Sequence, residues 1–145
     1  MRAIARSASL LLCVAGLLPA APHEEVIKLI ASMASGLSTV NIPLFMAAFD
    51  KDMPNYDKLQ ADVAALTNQA EVTSSIEPVT EQGGEDSYSI DLDWYIQVRS
   101  IFPDGPIVTR RQLIHCDLRK DKDKKRWKIV DLKPLDFFAP AKLDR

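Results

Sequence analysis

The hydrophobic residues between positions 24 and 70 recur at three- and four-residue intervals, which is the period of helices with one apolar face. Gly36 predicts the end of a first helix. Asn41 and Asn55 are predicted N-caps of a second, short helix and of a third helix. The predicted buried faces comprise Val26, Leu29, Ile30, Met33 and Leu37; then Leu44, Phe45, Met46 and Phe49; then Tyr56, Leu59, Val63, Leu66 and Ala70.

Beyond position 72 the period changes to two, which indicates strands whose successive side chains point to opposite faces. The predicted strands are 72–80, 87–100, 107–119 and 126–132, with turns at 82–85 and 103–106. Two of them, 87–100 and 107–119, are long, roughly a dozen residues where about five or six is usual, so the sheet should twist and curl. The predicted fold class is α+β, with three N-terminal helices packed on a curved, cone-like antiparallel sheet of about four long strands.

The strand at 87–100 alternates without interruption, so its faces are assigned first. Its apolar row holds Trp94, and pairing across the turn at 103–106 places that row beside Arg110 and Gln112. The same pairing places His115 on the opposite, polar face. Trp94 and Trp127 are predicted core residues, because each alternates with apolar neighbours.

The first 20 residues have the pattern of a secretory signal peptide. Arg2 and Arg6 precede an apolar run from 8 to 18, which is followed by Pro19 and small residues. The run is shorter than the roughly 20 apolar residues of a membrane span, and its lack of a polar face disfavours a mature amphipathic helix. We therefore expect export to the periplasm or extracellular space, cleavage after Ala20, no stable membrane insertion, and a single domain over 21–145.

Export would also change the charge of the chain. Of its 18 basic and 20 acidic residues, cleavage removes two arginines and leaves 16 against 20, a net charge of −4. This balance argues against general nucleic-acid binding, which needs a basic surface. With Cys116 as the sole mature cysteine, no internal disulfide is possible. The six basic residues and two acids of 119–126 favour a solvated hairpin tip over contact with an acidic partner or an anionic membrane.

The order of elements and two short motifs carry a resemblance to a known family. Residues 127–130 (WKIV) followed by 134–138 (PLDFF), and residues 91–94 (DLDW) in the long strand, are the motifs concerned. Together with three helices before long strands, they resemble small bacterial members of the nuclear transport factor 2-like superfamily, also called ketosteroid-isomerase-like, over about residues 24–140. The resemblance implies a cone with an interior pocket and an outer sheet face that often pairs with a second subunit. The first hairpin that many members have between helices has no room at 53–55.

In this family the enzymes use an Asp base with acid donors, or Asp/His pairs, inside the cone. The sequence holds no catalytic motif, no closed metal-ligand spacing and no cofactor-binding loop, so no catalytic residue, metal or cofactor is predicted. His115 near Asp93 has the chemistry of an acid–base pair. A base outside the pocket has nothing to hold its substrate, so a solvated or subunit-contacting surface is the favoured interpretation.

Candidate ligand-binding residues lie in the inward row near the turn at 103–106. Arg110 and Gln112 are its clearly polar members, and a polar pair in a mostly apolar cavity orients small ligands. The alternative for Arg110 is a position at the rim with its head in water. An inward Arg110 needs a partner, for which Asp136 is the first candidate among the acids. The predicted apolar walls are Tyr56, Trp94, Phe45, Phe49 and Ile96.

Two functions stay open from the sequence. One is a non-catalytic exported domain that binds a small apolar or amphipathic ligand or pairs with a partner; the other is an isomerase-, dehydratase- or cyclase-type enzyme. The first is favoured, because proton transfer needs an acid or base in the pocket and the inward row offers no convincing carboxylate. A homodimer, or another partner, is expected on the polar sheet face, which holds Asp91, Asp93, Tyr95, Arg111 and His115.

The predicted cleavage has a direct test. Mass spectrometry of the chain from the periplasmic or secreted fraction should show a protein that begins at Ala21, because the basic start and short apolar run match a signal peptide. A soluble cytoplasmic pool that keeps Met1 would contradict the prediction.

Overall fold

The computed structural model describes residues 22–123 and 125–143. Within them, three helices precede four strands, which confirms the predicted α+β order; residues 1–20, the predicted signal peptide, lie outside this part of the chain. No helix in the described ranges has both the length and the apolar content needed to cross a bilayer. The elements are α1 Pro22–Ser38, α2 Ile42–Met46, α3 Tyr56–Gln69, β1 Ala70–Gly83, β2 Ser87–Ser100, β3 Ile107–Lys120, β4 Trp127–Lys133 and a 3₁₀ helix Leu135–Phe138.

Gly36 lies inside α1, so its prediction as the helix end is wrong. It is buried where α1 meets α2. A Cβ atom at this position would lie 2.6 Å from the backbone nitrogen of Phe45 and 2.9 Å from its Cα. Gly36 is therefore required by the close approach of two helix backbones, not by a helix stop.

The two predicted N-caps behave differently. Asn41 is confirmed, because its Oδ1 accepts a hydrogen bond from the Leu44 N–H at 3.0 Å, with Pro43 in the first turn of α2. Asn55 precedes α3 but makes no side-chain capping bond there. Its backbone has φ 63°, a left-handed conformation that asparagine tolerates better than most residues. Asn55 thus shapes the entry to α3 through its backbone.

The sheet is antiparallel with strand order β1-β2-β3-β4. Trp94 lies opposite Gln112 and Asp91 lies opposite His115, which confirms the predicted faces of β2 and β3. β4 pairs only with His115–Lys120 of β3, so the first half of β3 borders no fourth strand of the described sheet.

A β-bulge in β1 changes which side chains face inward. The register shifts between Pro78 and Thr80. Thr80 then lies opposite Asp91 on the outer face, and Glu81 lies opposite Ile90 on the inner, concave face. The bulge therefore brings a carboxylate to the inner face that simple alternation does not place there.

The concave side of the sheet is closed by aromatic side chains. Trp94 is fully buried and Trp127 nearly so, which confirms both as core residues. The Trp94 ring centroid lies 5.1 Å from that of Phe138 and 6.0 Å from that of Phe137. Phe138 in turn lies 5.4 Å from Phe45 of α2. The 3₁₀ helix thus seals the space between the helices and the sheet.

The contact at Gly36 gives a stability prediction. Gly36→Ala should lower the free energy of unfolding by about 1–3 kcal/mol, because the added Cβ meets immobile backbone; this outweighs the gain in helix propensity, about 1 kcal/mol at most. The matched control is Gly84→Ala, where a Cβ meets nothing within 4 Å and the change should stay within about 0.5 kcal/mol. Urea unfolding of both variants provides the measurement, and equal midpoints would show that α1 and α2 do not pack as described.

Candidate functional site

The four predicted ligand-binding residues do not lie in one open pocket. Trp94 is fully buried, and its Nε1 donates a hydrogen bond to Ser74 Oγ at 3.2 Å. Gln112, opposite Trp94, is exposed because no fourth strand covers this part of β3. Tyr56 is half-buried and lines a separate cleft beside α2. Phe137 and Phe138 fill the space that the sequence assigned to a ligand, and ligand binding at these residues stays a prediction.

Arg110 holds the 3₁₀ helix and the residue that follows it. Its Nη1 donates hydrogen bonds to the carbonyl oxygens of Phe137, at 2.7 Å, and Ala139, at 2.6 Å. Burial lowers the pKa of the guanidinium from its ordinary value, and the charge of Asp136 offsets part of that effect. Asp136 therefore acts on Arg110 through its charge, while backbone carbonyls accept the hydrogen bonds that a carboxylate was expected to accept.

The bulge creates an ionisable group on the inner face that sequence reasoning missed. Glu81 Oε1 accepts a hydrogen bond from the Tyr88 hydroxyl at 2.7 Å and lies 2.5 Å from His23 Nδ1. Burial raises the pKa of the Glu81 carboxyl, but these two hydrogen bonds outweigh it and hold that pKa below its ordinary value. Burial and the Glu81 carboxylate together raise the pKa of Tyr88 to about 12. Pro78, within a predicted strand, was the signal for the bulge.

On the outer face, His115 lies between two carboxylates. Its Nδ1 is 2.6 Å from Asp91 Oδ1, and its Nε2 is 3.1 Å from Asp117 Oδ1. Asp91, and not the Asp93 considered from the sequence, is the partner of His115, because Asp91 lies directly opposite His115 and Asp93 is bound by Arg111. The hydrogen bond to Asp91, with the charges of both aspartates, raises the pKa of His115 despite its partial burial.

Hydroxyl groups extend this network across three strands. Thr80 donates to Asp91 Oδ2 at 2.5 Å, and Ser89 donates to Asp117 Oδ1 at 2.6 Å. Each aspartate therefore accepts a hydrogen bond from a hydroxyl group and lies within hydrogen-bond distance of one ring nitrogen of His115. Hydrogen bonds thus connect five side chains from β1, β2 and β3 on the outer surface.

Next to this network, four residues of β2 and β3 form a square, here called the outer square. Asp93 lies opposite Leu113, and Tyr95 lies opposite Arg111. Arg111 binds the Asp93 carboxylate along one diagonal through two hydrogen bonds, of 3.1 and 2.7 Å. Tyr95 and Leu113 occupy the other diagonal and are 37% and 55% exposed. The outer square thus presents an apolar pair beside a neutralised ion pair.

The remaining reactive groups are shielded or dispersed. Cys116 is fully buried in the inner row, and burial raises the pKa of its thiol to about 12. A thiol with that pKa stays protonated at neutral pH, which disfavours nucleophilic attack. In the part of the chain that the structure describes, no group of three or more His, Cys, Asp or Glu side chains is placed to hold a metal ion.

Comparison with known proteins identifies the fold. No protein-family model matches the chain, and no curated protein shows significant sequence similarity to it. Solved structures do match. A conserved protein from Planctomyces limnophilus has a TM-score of 0.70 and 8% identity, over 76% of this chain and 91% of that one.

Two further structures have more informative names. A protein provisionally assigned as a scytalone dehydratase from Novosphingobium aromaticivorans has a TM-score of 0.67 and 11% identity, over 76% of this chain and 80% of that one. A nuclear transport factor 2-like superfamily protein from Salmonella enterica serovar Typhimurium has a TM-score of 0.62 and 12% identity, over 82% of this chain and 91% of that one. The fold class is an α+β cone, and this chain has the nuclear transport factor 2-like fold. Such identities establish the fold and not an activity.

The environment of His115 predicts a pH dependence. Because folding raises its pKa above the ordinary 6.5, the imidazolium stabilises the folded state fully at low pH. This contribution to the free energy of unfolding is lost as the pH rises from about 6.5 through the pKa of the folded state. NMR titration of the His115 ring should show a pKa above 6.5.

Two aspartate variants make that test specific. Asp91→Asn should lower the pKa of His115, because it removes the largest cause of the increase. Asp93→Asn removes the same charge from the same strand. Because Asp93 forms its ion pair with Arg111 and not with His115, this variant should change the pKa of His115 much less. Equal changes in the two variants would show that general surface charge, and not the hydrogen bond to Asp91, sets the pKa.

Proposed function

We propose that this chain is an exported, non-catalytic domain that pairs with a second copy of itself through the outer face of its sheet. Export rests on the signal-peptide pattern of residues 1–20. The observation that carries the pairing is the outer square, in which exposed apolar side chains lie beside a self-neutralised ion pair.

The outer face is self-complementary, as a two-fold contact requires. In an isologous interface each surface patch meets the same patch of the other copy. The Tyr95–Leu113 diagonal then covers its counterpart, while Arg111 and Asp93 exchange partners across the axis with no net charge buried. Helices cover the concave face of the sheet, which leaves the outer face as the broad surface for a partner.

The inner face supports a role without catalysis. Phe137 and Phe138 occupy the concave side against Trp94, and a substrate needs a concave, accessible site. The His115 network lies on the opposite, outer face.

One observation favours the enzyme alternative. Glu81 on the inner face, hydrogen-bonded to Tyr88 and His23, unites a carboxylate with two proton donors, as an isomerase, dehydratase or cyclase needs. Its carboxylate is held ionised, as a base requires, but the high pKa of Tyr88 makes that residue a poor acid. Turnover that Glu81→Gln abolishes, with Tyr95→Glu fully active, would establish this alternative.

The test of self-association uses the outer square. Analytical ultracentrifugation of the mature chain should show a monomer–dimer equilibrium that shifts towards dimer as concentration rises. Tyr95→Glu and Leu113→Glu should each weaken the dimer at least about tenfold, because each places an uncompensated charge in a contact core.

The matched control is Ile101→Glu. Ile101 is 58% exposed, a value close to that of Leu113, but lies in the β2–β3 connection outside the outer square. This variant should dimerise like the wild type. A wild-type chain that stays monomeric at high micromolar concentration, or a dimer weakened equally by all three variants, would remove the proposal.

A further inference from the structure

A cleft of about 570 Å³ lies outside the aromatic core. Three segments meet there: α2, the connection that leads into α3, and the hairpin between β3 and β4. Its volume falls in the range of about 300–1,000 Å³ that is usual for small-molecule sites. The lining residues with a role in the argument are Met46, Phe49, Tyr56, Lys51, Arg126 and Lys128.

Backbone hydrogen bonds fix the two walls of this cleft relative to each other. The Ile129 N–H donates to the Ala48 carbonyl oxygen at 2.8 Å, and the Asp50 N–H donates to the Ile129 carbonyl oxygen at 2.9 Å. Phe49 and Ile129 thereby form a short parallel bridge between the segment that follows α2 and β4. The two walls of the cleft are therefore joined directly by backbone contacts.

One side of the cleft is apolar. Met46 and Phe49 form part of the buried core and are only 4% and 2% exposed, so they offer a firm floor. Tyr56 is half-buried at the start of α3 and packs against that core. Tyr56 and Phe49 were both predicted as walls of a ligand pocket, and the structure brings them together here.

The lining also carries three cationic side chains. Asp50 and Asp121, the two acids of the lining, each accept a backbone N–H two residues further on, at 2.8 and 2.9 Å, and so serve the local turns. Lys128 Nζ donates to the Ala47 carbonyl oxygen at 2.5 Å, which anchors its charge at the cleft. Among the described residues, the side chains of Lys51 and Arg126 have no hydrogen-bond or ion-pair partner.

We propose that this cleft binds a small amphipathic carboxylate, with its apolar chain on Met46, Phe49 and Tyr56 and its carboxylate at Arg126 and Lys51. Arg126 suits a planar carboxylate, because its guanidinium offers parallel N–H donors. The cleft lining carries three cationic side chains and two acidic ones, and both acids already accept backbone hydrogen bonds in turns. This balance of charge favours an anionic ligand over a cationic one. The basic hairpin thus has a ligand-binding role in addition to its solvated position, and this role is independent of self-association.

The probe for this site is octanoate, compared with octan-1-ol. A ¹H–¹⁵N NMR titration of the mature chain should show saturable shifts at the amides of residues 46–51, 56–60 and 126–128. Octanoate should bind at least about tenfold more tightly than octan-1-ol, because only the acid makes charge-assisted hydrogen bonds. Equal affinity of the two probes, or shifts that map to other parts of the fold, would overturn the proposal, as would the lack of any saturable shift.

Variants separate the two ends of the ligand. Arg126→Gln combined with Lys51→Gln should weaken octanoate at least about tenfold and leave octan-1-ol nearly unchanged. Tyr56→Ala should weaken both probes, because both use the apolar wall. The control is Lys122→Gln, which removes a positive charge from the same hairpin at a position outside the cleft lining. If Lys122→Gln weakens octanoate as much as the Arg126→Gln/Lys51→Gln double variant does, the attraction is general to the basic hairpin and the cleft is not the site.

Discussion

The contact between Trp94 and the C-terminal 3₁₀ helix is the constraint on which the rest of the structure depends. A long, curved sheet leaves a deep concave face, and that apolar face must be covered. Here Phe137 and Phe138 cover it, and Arg110 holds their backbone in place through two carbonyl oxygens. Arginine usually recognises anionic ligands, but here its guanidinium secures the backbone of the 3₁₀ helix.

Because aromatic side chains fill the concave side of the sheet, the surfaces available for binding lie elsewhere on the molecule. With its interior occupied by aromatic rings, the cone offers its outer face and its flanks. The outer face carries a polar network that is satisfied within the chain, next to the partly apolar outer square. The flank carries a cleft with an apolar floor and three cationic side chains. Each surface has a distinct chemistry, so self-association and ligand binding can be tested separately.

The two proposals also differ in how the sequence signalled them. Alternation in β2 and β3 is so regular that the outer face, with Tyr95 and Arg111, follows directly from residue parity. The cleft depends on a parallel bridge between Phe49 and Ile129, which are 80 positions apart in the chain. Local periodicity contains no information on such a contact, although the individual residue types at both ends are visible in the sequence.

The sequence by itself determined the order of the helices and strands, the two faces of β2 and β3 and the burial of Trp94 and Trp127, because each follows from local periodicity. Only the tertiary structure decided what Arg110 binds, and which side of the sheet Glu81 faces. One depends on where the last helix packs, and the other on a bulge of a single residue that reverses every later side chain of β1. For the partner of Arg110 and for the facing of Glu81, the same local sequence pattern is compatible with more than one arrangement. The packing of distant segments selects the one that forms.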